Sequence, residues 1–105
     1  MPPPPTCLVV FHHPGPAWEP GRPMFEQAGL QGHIDHYRGL LQSGQLGAGG
    51  PFLDSDGGGM MIARPGMLLE DLVAFAENDP AVRSGLLRVA VRPWMPAMRA
   101  SDGLA

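Results

Sequence analysis

Residues Gln31–Phe52 read QGHIDHYRGLLQSGQLGAGGPF, and the hydrophobic period changes partway along this stretch. Leu30, Ile34, Tyr37 and Leu41 recur at steps of four, three and four residues, which is the spacing of one helical face. Ser43-Gly44 closes that helix, because glycine accepts the left-handed angles that end one. Gln45–Ala48 then reads as a short strand, and Gly49-Gly50-Pro51 as a tight turn whose glycines supply positive φ. A helix that hands directly to a strand and a turn is the middle of an α/β unit, so a strand is expected on its other side.

Cys7–Phe11, CLVVF, provides that strand, a β-branched and aromatic run ended by HHPGP. The helix is expected over Phe25–Leu41. After the turn, the loop Leu53–Gly58 leads to a second short strand, Gly59–Ala63. Arg64-Pro65-Gly66 opens a helix over Leu68–Glu77 with the apolar stripe Leu69, Leu72, Val73 and Ala76. Asn78-Asp79-Pro80 stops it, since a residue before proline resists helical angles. Leu86–Val91 is the last strand. The order β-α-β-β-α-β predicts an α+β, ferredoxin-like fold, an antiparallel sheet with two helices on one face. The outer strands are apolar on both faces: Cys7, Val9 and Phe11 against Leu8 and Val10, and Leu87, Val89 and Val91 against Leu86 and Ala90. A half-solvated sheet should alternate. The second apolar face calls for a cover, and a second copy of the chain, a homodimer, supplies it.

Composition narrows the function classes. Apolar residues make 44% of the 105-residue chain and charged ones 16%, with a net charge of -3, which is a globular balance. There is no lysine and the seven basic residues are scattered arginines, so the clustered positive footprint of a nucleic-acid binder is missing. The lone Cys7 excludes an internal disulfide and fits a reducing, cytoplasmic compartment. No apolar run approaches the length of a membrane span, so a membrane partner is not expected. The domain is placed at 7–98, between a proline-rich arm (1–6) and a small polar tail (99–105) that are both expected to fray.

Two histidines three residues apart on the first helix, His33 and His36, are the first chemical question. At ~100° per residue, His33 lies ~70° from the centre of the Leu30/Ile34/Tyr37/Leu41 stripe and His36 ~130°. His33 is therefore expected at the border of the buried face, and His36 in water. A border imidazole suits proton transfer, because its ordinary pKa lies near neutrality, and equally suits a merely structural hydrogen bond. A metal site would add a third ligand from His12, His13 or Asp79. Neighbouring histidines on a strand end diverge, and no HExxH or CxxC pattern accompanies them, so no metal is expected. GAGGPF and DSDGGGMM lack the ending of a phosphate-binding loop. They read as turns, or as a pocket wall in which Gly50, Pro51, Phe52 and Ser55 approach His33. Phe11 is core, or stacks on a planar ligand.

GHIDHYRGLLQSGQL, the Gly-Gly-Pro-Phe turn followed by LDSDGGGMMIA, ENDPAVRSGLL and the terminal RVAVRPW together resemble the YCII-related (YciI-like) family, over about Cys7–Met98. The resemblance implies a dimeric α/β barrel and a catalytic centre of a first-helix histidine with the aspartate of the Asp-Pro segment, here His33 and Asp79. Asp79 would fix the imidazole tautomer and stabilise its protonated form, as the third member of a triad does; the alternative is an aspartate that only caps a turn. Similar proteins include a dehydrochlorinase acting on a chlorinated hydroxyquinol, and fold relatives include muconolactone isomerases. The expectation is a lyase or isomerase of an enol- or carbonyl-containing metabolite that uses no metal or organic cofactor, or a non-catalytic small-ligand-binding or structural homodimer.

Overall fold

The computed structural model describes residues 6–54 and 57–101. Pro2–Pro5, Ser55 and the last four residues of the expected tail lie outside the described residues. Four strands, β1 (Cys7–Pro14), β2 (Leu46–Pro51), β3 (Gly59–Ala63) and β4 (Leu87–Trp94), alternate with three helices, α1 (Leu30–Gln42), α2 (Leu69–Glu77) and α3 (Pro80–Arg83). The strands form one antiparallel sheet in the order β2-β3-β1-β4, the order that the split β-α-β-β-α-β connection requires. Helix α3, one turn long, was not expected; Pro80 sits at its first position, where a missing N–H costs nothing.

Strand ends differ from the sequence reading for identifiable reasons. β1 runs on to Pro14 because His12 and His13 find partners in β4, opposite Val89 and Arg88. β4 continues through Pro93, which an edge strand tolerates. Gly49 and Gly50 are not a turn: they pair in β2 with Met61 and Met60. Neither has positive φ; a Cβ on Gly49 would meet Met61 Sδ, whereas one on Gly50 would meet open space. Positive φ falls instead at Gly57 and Gly58. The first helix begins at Leu30, behind a left-handed Gly29 (φ 89°), and Met24–Glu26 make a separate 3-10 turn.

Even-numbered β1 residues, Leu8 and Val10, face the helices and meet Tyr37, Leu40, Leu72 and Ala76 in the main core. A second cluster joins Trp18, Leu30, Ala81, Leu86 and Leu87 at the α3 end. The outer face is less apolar than expected on β4, where Arg88, Ala90 and Arg92 all stand exposed.

α1 is rotated relative to its sequence stripe. Its buried residues are Leu30, His33, Tyr37 and Leu40, whereas Leu41 is 54% exposed. The centre of that set lies ~50° from the expected one on the helical wheel. The cause is Leu40, which enters the main core and turns the helix towards His33.

Candidate functional site

The Asp-Pro segment performs two jobs. Asp79 caps α3, its Oδ1 accepting the Ala81 N–H at 2.9 Å, while its Oδ2 accepts from His33 Nδ1 at 2.6 Å. The capping and pairing roles left open by the sequence therefore coexist. At Gly32 the two helices meet: a Cβ there would stand in ordinary contact with the Pro80 ring at 3.4 Å, so α3 lies directly against α1. Asp79 is fully buried and His33 is 9% exposed. Burial alone would raise the Asp79 carboxyl, but the hydrogen bonds from His33 and Ala81 and the neighbouring imidazoles outweigh it and hold the pKa below the usual value. An ionised carboxylate only accepts, so His33 carries a proton on Nδ1 and donates it to Asp79.

A third group joins them, one weighed from the sequence only as a metal ligand. His12 follows Leu8 and Val10 on the helix-facing side of β1 and is 2% exposed, while His13 points to solvent. The two do diverge, and the inward one reaches the site. Its signal was the two-residue alternation of β1. His12 Nε2 stands 4.0 Å from Asp79 Oδ2, and its ring meets His33 edge-on at a centroid distance of 4.7 Å. Burial, with the neighbouring His33 imidazole next, pushes its pKa down to about 4 against the pull of Asp79. Tyr37, one turn after His33, packs on both rings at 5.2 Å; burial, aided by Asp79, raises its phenol and keeps it protonated.

His12, His33 and Tyr37 line a cavity of about 280 Å³ between α1 and the β2–β3 edge. A 150 Å³ apolar cavity accommodates benzene, so this one has room for a substituted ring. Its third side is the segment linking β1 to α1, which brings Trp18, Met24 and Phe25 to the wall. That segment is tied down at both ends. Gly15 and Ala17 donate to Leu86 and Gly85 carbonyls at 2.9 Å. The buried Gln27 side chain accepts from Glu19 N–H and donates to the Glu19 and Arg22 carbonyls.

Gly50 and Pro51 line the cavity, but Phe11 and Phe52 are not on its wall. Phe11 stands between Val10 and His12 on β1, so its side chain leaves by the opposite face of the sheet. Phe52 lies just past β2, its N–H bound to Gly58 O at 3.0 Å. Among the described residues, the buried side-chain polar atoms without a hydrogen bond are His12 Nε2, Trp18 Nε1 and Tyr37 Oη, and all three residues line this cavity. Buried polar groups are normally satisfied; here the exceptions gather in one place.

His12, His33 and Asp79 each offer a ligand atom within 4.8 Å of the others, a grouping that β1, α1 and the α3 cap create jointly. Two ligands of one tetrahedral ion stand about 3.3 Å apart when each is about 2.0–2.1 Å from the metal. The His33–Asp79 separation of 2.6 Å is shorter than that and the His12–Asp79 separation of 4.0 Å longer. These are the distances of a shared proton beside a second ring, and a metal would require the carboxylate to turn.

His36 corrects the sequence reading. The rotation of α1 carries it to the edge of the buried face, where Nε2 donates to the Phe75 carbonyl at 2.7 Å and the ring stacks on Phe75 at 3.9 Å. Its role is to join α1 to the last turn of α2, and it is not among the cavity-lining residues.

No helix among the described residues is long and apolar enough to cross a membrane. No curated protein matches the chain. The family model for the YCII-related domain matches residues 7–95, from the first residue of β1 to just beyond β4, and the chain belongs to the YCII-related family.

Proposed function

We propose that this protein is a small lyase or isomerase that acts on an enol- or carbonyl-containing metabolite by general acid/base chemistry, with His33 as the proton carrier and Asp79 as its orienting partner, and without metal or organic cofactor. The observation that carries the reading is the 2.6 Å bond from His33 Nδ1 to a carboxylate sealed from solvent, on the wall of a ring-sized cavity. His33 Nε2 takes a proton from the bound molecule, and the imidazolium so formed is stabilised by Asp79. The electron pair left behind moves into the enolate. Return of the proton at another atom completes an isomerisation; in an elimination that pair forms the new C=C bond, the leaving group departs with the electrons of its own bond to carbon, and His33 passes its proton to the leaving group or to water. The cavity offers room for a mainly apolar body, and Arg38 is the cation on its lining.

The chain acts, in this proposal, as a cytoplasmic homodimer whose sheets meet through their outer faces, where Phe11, Trp94 and the Val9/Ile62 pair lie. The alternative is a binding protein. It is favoured by one observation: Asp79 already has a structural task as the cap of α3, so its burial needs no catalytic explanation. A screen of enol, lactone and chlorinated hydroxyquinol substrates, with His33→Gln as control, separates the two. Turnover that falls by at least about 100-fold in the variant supports the enzyme. Saturable binding of such compounds without turnover establishes the binding protein.

A further inference from the structure

The Asp79 carboxylate has a place left. Oδ1 is occupied by the Ala81 N–H at 2.9 Å and Oδ2 by His33 Nδ1 at 2.6 Å. A carboxylate oxygen offers two lone pairs, so Oδ2 retains one. Facing it at 4.0 Å is His12 Nε2, buried and without a hydrogen bond. We propose that His12 is a second imidazole oriented by Asp79, with Nε2–H directed at the free lone pair of Oδ2, and that the two rings together select ligands bearing hydroxyl or N–H donors over carboxylates. The catalytic meaning of this assignment rests on the acid/base reading above; the assignment itself rests on the geometry.

The nitrogen facing a carboxylate is the one that carries the proton, which makes His12 the Nε2–H tautomer and leaves its Nδ1 as an acceptor. His33, held through Nδ1, is left with Nε2 as its acceptor. One buried anion thus imposes opposite tautomers on two rings 4.7 Å apart, and both residues line the cavity. The low pKa of His12 supports this, since a ring uncharged at neutral pH keeps one donor and one acceptor. A carboxylate brought to that wall would meet two lone pairs in the field of Asp79 and be repelled. A hydroxyl is matched. In turnover, His33 Nε2 takes the proton while His12 accepts a hydrogen bond from a neighbouring hydroxyl and itself undergoes no net protonation.

The test is a two-bond ¹H–¹⁵N correlation spectrum of the imidazoles of the whole protein at pH 7, which reads tautomers without any substrate. The expected result is Nε2–H for His12 and Nδ1–H for His33. Asp79→Asn, whose amide turns NH₂ towards the rings, should reverse both. Phenol should shift the unprotonated nitrogen of each ring, and benzoate at the same concentration should not. The proposal is overturned if His12 is Nδ1–H, if Asp79→Asn changes His33 alone, or if benzoate is the better ligand. It is also overturned if one equivalent of Zn²⁺ binds and shifts both rings, which would make the cluster a metal centre. Should Asp79→Asn fail to fold, the wild-type tautomer of His12 still decides. Absence of turnover in the substrate screen would leave these spectra unchanged, and a reversed His12 would leave the His33–Asp79 pair intact, so each failure is recognisable by itself.

Discussion

Acidification should penalise the fold through His12 before any carboxylate is reached. In the unfolded chain this imidazole takes up a proton near pH 6.5, whereas in the folded one burial delays uptake to about 4. Between those values the unfolded state binds more protons, so stability falls as the pH falls, and the effect is absent above pH 6.5. At about 1.4 kcal/mol per pH unit, the gap amounts to about 3 kcal/mol by pH 4, a sizeable share of a small domain's stability. The neighbouring Asp79 does not confuse the window. Its folded pKa is depressed below 3.8, so its own contribution is present above that value and lost only as the pH drops through the folded pKa. Urea denaturation from pH 7.5 to 4, at fixed protein concentration, should be run on the wild type and on His12→Gln, which cannot titrate there. The wild type should lose about 3 kcal/mol more than the variant across the window. Parallel curves would refute the reasoning, since they would mean that His12 is either solvated or charged in the folded protein.

His36→Ala, which removes the bond to the Phe75 carbonyl and the stack on that ring, should cost about 1–2 kcal/mol in denaturant melts while leaving the His12 and His33 tautomers unchanged. A neutral effect would return His36 to the solvated face. Gly32→Val should force α3 away from α1, because even a Cβ there stands 3.4 Å from Pro80; overpacking of this kind costs about 1–3 kcal/mol. The sharper readout is spectroscopic: loss of the His33 Nδ1–H signal shared with Asp79 is expected, and its persistence would show that Gly32 does not set the approach.

The element order and its punctuation were legible in the sequence because they depend on near neighbours. A period of 3.6 residues marks a helix, Gly44 ends one, and proline after Asp79 forbids the continuation of α2, wherever these segments sit. His33 and Asp79 could be singled out on the chain, but their 2.6 Å bond depends on how two helices pack across Gly32, 47 residues from Asp79. The tertiary structure decided three further things. Periodicity establishes that α1 has a buried stripe, yet what it packs against fixes the stripe's centre; Leu40, 4% exposed, rather than Leu41 entered the core and carried His36 out of water with it. Alternation along β1 places His12 and His13 on opposite faces, but only the helices that cover one face made His12 the buried member. And glycines that look alike in sequence separate by neighbourhood: Gly57 and Gly58 serve through positive φ, Gly49 through the lack of a Cβ where Met61 lies. Local pattern reports what a segment can form, and the identity of the surface opposite it determines which atoms meet.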